Sequence, residues 1–199
     1  MTHRQPDRCI KVPKLDQWFI LAVFLPESAG PSDTVALSYA IIFIDMANKF
    51  EIRKINKDDY HYVLTMMIEL YMSPAVIHKP SMEDIKKNID ASLNDDIPLI
   101  CYVFTIDDSI IGYSMIAKSF STEYAMPCIW IEDLYIKEKY RHRGIGQEYF
   151  SFVKKEYPSD QYRIRLEVEP SNENAKRFYD NAGMKDIPYI QKEFIPHKK

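Results

Sequence analysis

Apolar and polar positions alternate in short runs over most of this chain, and elsewhere they recur every three or four residues. In residues 50–55, FEIRKI, apolar and charged side chains take turns, which predicts a half-exposed first strand. Asn56 then offers a helix cap. Tyr60, Val63, Leu64, Met67, Ile68 and Tyr71 fall at helical spacing, so residues 57–72 read as a helix with one buried face. SPAVIHKP follows as a loop. Ser81 with Asp84 resembles a capping box, opening a second helix whose Ile85, Ile89 and Leu93 face inward. Residues 97–105 and 110–118 are two strong strands joined by the turn at 106–109, a hairpin in which Gly112 suggests a bulge. A loop, FSTEYAMP, leads to an apolar strand at 128–136, a glycine turn, and a helix marked by Ile145, Tyr149 and Phe152 or Val153. After the break at Tyr157, Pro158 and Ser159 come a strand at 162–169, a short helix within 170–184 and a final strand at 189–195. Strand, two helices, hairpin, strand, helix, strand, helix, strand predicts a mixed sheet with helices on both faces, an α/β domain.

Residues 1–45 differ from the rest of the chain. They hold Pro6, Pro13, Pro26 and Pro31 and two apolar runs, 18–25 and 35–44, parted by the breaker-rich PESAGPSD. Each run is far short of the roughly 20 apolar residues a membrane helix needs. Lys11, Lys14 and WFILAVFL imitate a signal peptide, but the stretch before the apolar run is long and carries Asp7 and Asp16. A strand or short helix packed on the main domain is one reading, and an upstream extension with Met46 as the natural start is another. Domain-like sequence begins cleanly at Lys49, so the chain divides into an extension, 1–45, and a domain, 46–199.

Chemistry concentrates where the strand at 128–136 meets the next helix. Glu132 and Asp133 interrupt an otherwise apolar strand, and two adjacent carboxylates there are expensive unless paired, hydrated or used. A salt bridge to Arg163 or Arg165 on a neighbouring strand is the structural alternative. The chain then turns through Arg141, His142, Arg143, Gly144, Ile145 and Gly146 into the helix. A helix start has unpaired amides and about half a positive charge, attracting anions by about 0.3 to 1 kcal/mol and more when partly buried. Glycines let those amides approach a phosphate closely, and Arg141 and Arg143 add charge. A Walker loop is absent, and a dinucleotide fingerprint would need glycine where Tyr149 stands.

Bulk properties narrow the partners. The 199 residues carry a formal charge of −3 with mixed signs and no basic stripe, which argues against nucleic acid and favours a small-molecule partner. Cys9, Cys101 and Cys128 are odd in number and widely spaced, so they read as reduced thiols of a cytoplasmic protein. The 5 histidines show no metal-ligand spacing, and no structural metal is expected. Glu83, Asp84, Asp90, Asp95 and Asp96 form a solvated face, or draw a cationic acceptor toward a nearby cleft.

The spacing Arg-x-x-Gly-x-Gly after a buried strand resembles the acetyl-coenzyme A pyrophosphate loop of the GNAT superfamily of N-acetyltransferases. PSNENAKRFYDNAGM, with Asn-x-x-Ala-x-x-Phe-Tyr-x-x-x-Gly, resembles the last characteristic segment of the same enzymes. The element order matches over about residues 49–194, and IEDLYIKEKYRHRGIG looks most like the diamine acetyltransferase type. The resemblance implies the GNAT fold, a mixed and mostly antiparallel sheet. It also implies acetyl-CoA as co-substrate and a small-molecule amine acceptor, with no membrane or nucleic-acid partner and with a homodimer left open. By the same resemblance, backbone groups of Leu134, Tyr135 and Ile136 bind the pantetheine as an added strand would. Arg141, His142, Arg143, Gly144, Ile145, Gly146 and Gln147 hold the pyrophosphate, and Asn172, Ala175 and Tyr179 line the same groove. A coenzyme-binding regulatory module that has lost turnover is the alternative of another class.

Amine acylation sets its own requirements. A lysine-like amine with a pKa near 10.4 costs roughly 4 to 5 kcal/mol to deprotonate at pH 7. Glu132 is the candidate base, directly or through a water, and Asp133 competes with it, since a strand bulge decides which side chain faces the cleft. The leaving thiolate needs a proton, and a tyrosine with a pKa near 10 can donate one. Tyr179 is the candidate acid, against a reading as a buried aromatic with a satisfied hydroxyl.

Overall fold

A computed structural model describes residues 50–194, in two compact units that meet in sequence at Glu167 and Val168. The first unit is built on one five-stranded sheet. In chain order its elements are β1 (Phe50–Lys54), α1 (Tyr60–Met72), α2 (Met82–Ser92), β2 (Leu99–Ile106), β3 (Ser109–Ser121), β4 (Met126–Ile136), α3 (Ile145–Glu156) and β5 (Arg163–Leu166). The strands lie in sequence order, with β1 to β4 antiparallel and β5 parallel to β4. The mixed, mostly antiparallel sheet read from the sequence is therefore present. The segment 1–45, with its two apolar runs and Cys9, lies outside the described residues.

Alternation in β2 sends successive side chains to opposite faces. Cys101 and Val103 join Tyr113, Met115 and Tyr135 in a core covered by Val63, Met66 and Met67 of α1 and Ile85 and Ile89 of α2. On the other face, Tyr102 and Phe104 meet α3, with ring centroids 5.0 Å from Phe152 and 5.1 Å from Tyr149. Each such fully buried apolar side chain contributes about 1.5 to 3 kcal/mol.

The helix before residue 73 starts in two steps, a single 3-10 turn at Lys57–Asp59 and then α1. Asp59 secures this corner: its carboxylate accepts Arg53 Nη1 at 2.6 Å, Arg53 Nη2 at 2.9 Å and the amide of Asn56 at 2.8 Å. The hairpin turn has Asp107 and Asp108 both at positive φ, 48° and 61°, the geometry that matches a two-residue loop to the twist of its strands. The expected bulge lies one residue before Gly112, since Thr105 pairs with Ile110 and Phe104 with Gly112, leaving Ile111 extra. Gly112 itself is tight: a Cβ there would meet the Tyr135 carbonyl at 2.6 Å and Phe104 Cδ2 at 2.7 Å.

Two strand readings change. The run at 162–169 forms a ladder only from Arg163 to Leu166, ending opposite Ile131. Past Ile131, β4 bulges, because Ile116 pairs with Ile131 and Met115 with Asp133, so Glu132 is the extra residue and the parallel register is lost. The predicted last strand is not formed over residues 189–194. Tyr189, Ile190 and Phe194 there are 62%, 86% and 90% exposed, so the run has no buried face to hold it extended.

The second unit contains α4 (Glu173–Asn181). Asn172 caps it, its side chain accepting from the Ala175 amide at 3.1 Å. It ends at Gly183, at φ 87°, with the Met184 amide donating to the Tyr179 carbonyl at 3.0 Å.

Candidate active site

The bulge in β4 separates the two neighbouring carboxylates. Asp133 pairs with Met115 and turns its side chain into the α1 face, where it is 8% exposed and its Oδ2 accepts from Tyr71 Oη at 2.8 Å and Tyr113 Oη at 3.1 Å. Burial raises its pKa, and the two phenol hydrogen bonds only partly oppose that. Glu132, the bulged residue, has an exposed side chain that forms no hydrogen bond or ion pair among the described residues. Partial desolvation by the surrounding protein raises its pKa, helped by the negative charges of Asp133 and Glu167. The salt-bridge alternative is not taken: Arg163 pairs with Glu123 at 3.3 Å, and Arg165 lies 4.0 Å above the Trp130 ring.

The bulge is anchored from within. Ser114 Oγ donates to the Asp133 carbonyl at 2.7 Å, so at 2.5 Å the Tyr149 hydroxyl must donate to Ser114. Ser114 and Tyr149 are both fully buried. Tyr149 belongs to α3, so this row of oxygens ties that helix to the strand that presents Glu132.

Beyond the bulge, Leu134, Tyr135 and Ile136 pair with β3 on one edge, and β5 does not extend along the other. That leaves backbone groups for an extended ligand to meet as a further strand would. Beside them is a cleft of about 700 Å³ lined by Glu69, Tyr135, Lys137, Glu138, Lys139 and Arg141. Here Tyr135 donates its phenol proton to Glu69, and its pKa is pushed up to about 12 by burial and then by the Glu69 carboxylate. Arg141 sits over the Tyr135 ring at 5.6 Å while its Nε donates to the Ile136 carbonyl at 2.8 Å.

The turn into α3 holds His142 at φ 60° and Gly144 at φ 80°. Gly144 is the N-cap and supplies no side-chain hydrogen bond. The amides of Ile145, Gly146 and Gln147 follow in the first turn, without intrahelical acceptors. Arg141, His142 and Arg143 are exposed around them, and Arg143 lies 5.6 Å over the Tyr140 ring. An uncapped helix start, an αL glycine and flanking guanidinium groups fit a diphosphate.

In the second unit, Asn172, Ala175 and Tyr179 share α4 and its cap, with Tyr179 half-buried and burial pushing its phenol up to about 12. Sequence reasoning missed Tyr71, Tyr113, Ser114 and Glu69. For Tyr71, Tyr113 and Ser114 the one advance signal is a hydroxyl inside an apolar stripe where Phe or Ala would pack as well, and Glu69 gives none. Among the described residues, no cluster of three or more His, Cys, Asp or Glu side chains is placed to hold a metal ion.

The acetyltransferase (GNAT) family model matches residues 64–184. A relative from Lactobacillus delbrueckii subsp. lactis, named an uncharacterized N-acetyltransferase, is 27% identical over 115 residues, 52% of this chain and 66% of that protein. The chain thus spans just under two thirds of that relative's length. A solved structure of a possible acetyltransferase from Clostridium difficile 630 matches with a TM-score of 0.64 and 25% identity, over 73% of this chain and 97% of the other. An aminoglycoside N-acetyltransferase in complex with CoA shares the fold, with a TM-score of 0.60 and 13% identity over 75% of this chain and 96% of that one.

Proposed function

Since this chain belongs to the acetyltransferase (GNAT) family, we propose that it moves the acetyl group of acetyl-CoA onto a primary amine of a small molecule or amino-acid-like acceptor, by direct attack in a ternary complex. The observation that carries this reading is the succession along β4 and α3: Glu132 on a bulge, an open strand edge at 134–136, and an uncapped helix start after two arginines. The CoA bound to the structurally similar aminoglycoside enzyme supports the same donor here.

Acetyl-CoA, when bound, supplies an activated acyl carbon and a thiolate leaving group. The chain supplies position and proton transfer. Amides of Ile145, Gly146 and Gln147, with Arg141, His142, Arg143 and Gly144, take the diphosphate, and backbone groups of Leu134, Tyr135 and Ile136 take the pantetheine arm. Asn172 and Ala175 are assigned to the coenzyme by resemblance, as is Tyr179. Glu132 draws the proton from the acceptor ammonium, and its raised pKa suits it to hold that proton. Tyr179 is the acid for the thiolate, because a phenol near 12 stays protonated where a thiol near 8.5 is already ionising. The activity belongs to residues 46–199. Buried free thiols at Cys101 and Cys128 support a cytoplasmic setting.

Thiol release from acetyl-CoA over a panel of amines tests the reading. Activity should fall as pH drops through the raised pKa of Glu132, since only its carboxylate accepts a proton. Glu132→Gln should remove that acidic limb and lower kcat about 100-fold or more. A limb that stays in place excludes Glu132 as the base.

A further inference from the structure

The buried carboxylate of Asp133 has no part in proton transfer through Glu132 and Tyr179. It is 8% exposed, and no lysine, arginine or histidine is paired with it among the described residues. A charge so placed is costly, and a core position would accept a neutral residue of similar shape more readily. The groups facing it are Tyr71 from α1, Tyr113 from β3, Cys101 from β2 and Glu132 on its own strand. Both phenols donate to the same oxygen, Oδ2, at 2.8 and 3.1 Å.

The two phenols are not equivalent. Tyr113 is fully buried, whereas Tyr71 is half-buried in the last turn of α1, just before the loop to α2. Asn88 on α2 and the Glu132 carboxylate also act electrostatically on the Tyr71 hydroxyl. Asp133 itself is shut away from any acceptor. Tyr71 is the group that links it to the surroundings of Glu132.

Proton balance supplies a task for this link. A primary ammonium carries three protons and the amide product carries one, so two protons leave the nitrogen in each turnover. One is balanced by the thiol that forms, and the other is released. A single carboxylate holds only one at a time.

Resting on the acetyl-transfer reading, we propose that Tyr71 and Asp133 form a second proton outlet. As the carbon–nitrogen bond forms, the acceptor nitrogen passes a proton to the Tyr71 oxygen while the phenol proton moves to Oδ2 of Asp133. The phenol is unchanged by the step, and the carboxylate becomes a carboxylic acid that returns its proton by the same route. Tyr113 holds Oδ2 in line. Burial raises the pKa of both Tyr71 and Asp133, which keeps the phenol protonated and gives the carboxylate a higher proton affinity.

The test uses the full chain, with Tyr71→Phe, Asp133→Asn and the double variant. Tyr71→Phe should lower kcat about tenfold or more while calorimetric affinity for acetyl-CoA is unchanged. Its proton inventory, the dependence of kcat on the deuterium fraction of the solvent, should turn from curved, with two protons in flight, to linear. Asp133→Asn should give the same loss, with the double variant no worse than either single one. Wild-type kcat and an unaltered inventory in Tyr71→Phe would overturn the relay while leaving the acetyltransferase intact. A wild-type chain that neither binds acetyl-CoA nor releases thiol overturns the parent reading and the relay together. If circular dichroism shows Asp133→Asn to be unfolded, Tyr71→Phe decides alone.

Discussion

Helices α2 and α3 both begin where a loop meets an amphipathic segment, yet they are finished in opposite ways. At α2, Ser81 Oγ accepts from the Asp84 amide at 3.2 Å and donates to the Asp84 carboxylate at 2.7 Å, and Glu83 and Asp84 set negative charge against the helix dipole. At α3, a left-handed Gly144 offers no side-chain cap, His142 also sits at positive φ, and Arg141 and Arg143 precede the first turn. A missing cap forgoes about 1 kcal/mol, and a cation at a helix start loses a few tenths more. One start is complete within the chain. The other leaves its first amides without a side-chain partner, the arrangement that the proposed diphosphate site calls for.

The difference can be broken at α3 first. Gly146 is in the helix but is not among the residues of positive φ, so the backbone does not need a glycine there. Gly146→Val should leave the melting temperature nearly unchanged, since valine suits a helix slightly better than glycine. It should weaken acetyl-CoA binding about 100-fold, roughly 2.7 kcal/mol by calorimetry. Unchanged affinity would remove the loop from the site. Next in size, joint replacement of Arg141 and Arg143 by alanine should weaken binding about tenfold at low salt and much less at high salt. A salt-independent loss would mean that the arginines act through the Ile136 carbonyl and the aromatic rings instead. Smallest, Ser81→Ala should cost about 1 kcal/mol in denaturant unfolding and leave coenzyme affinity alone. A drop in affinity there would erase the contrast between the two helix starts.

Much of this was legible because local pattern and global packing agree. Ile85 and Ile89, spaced four apart, are both buried, and the Asp107–Asp108 turn closes the hairpin that the flanking alternation requires. What was hidden depends on pairing across the sheet. Whether Glu132 or Asp133 bulges is set by the register of β4 against Met115 and Ile116, which no local spacing reveals. Tyr71 reads as one more apolar position of α1, because its partner is 62 residues away in sequence. Residues 189–194 show the converse. Tyr189, Ile190 and Phe194 give the run the apolar content of a strand, but such content records only a capacity to pair, and no strand forms there.

The hydroxyl row from Tyr149 through Ser114 to the Asp133 carbonyl sets limits on how such a chain can diversify. Removing one member strands a polar atom in a sealed interior, whereas removing neighbours together leaves less unmatched. Sites 114 and 149 should therefore behave as one heritable unit, with changes in either tolerated mainly when the other changes too. A library that explores new acceptors would do well to leave that pair untouched and vary the loops around it.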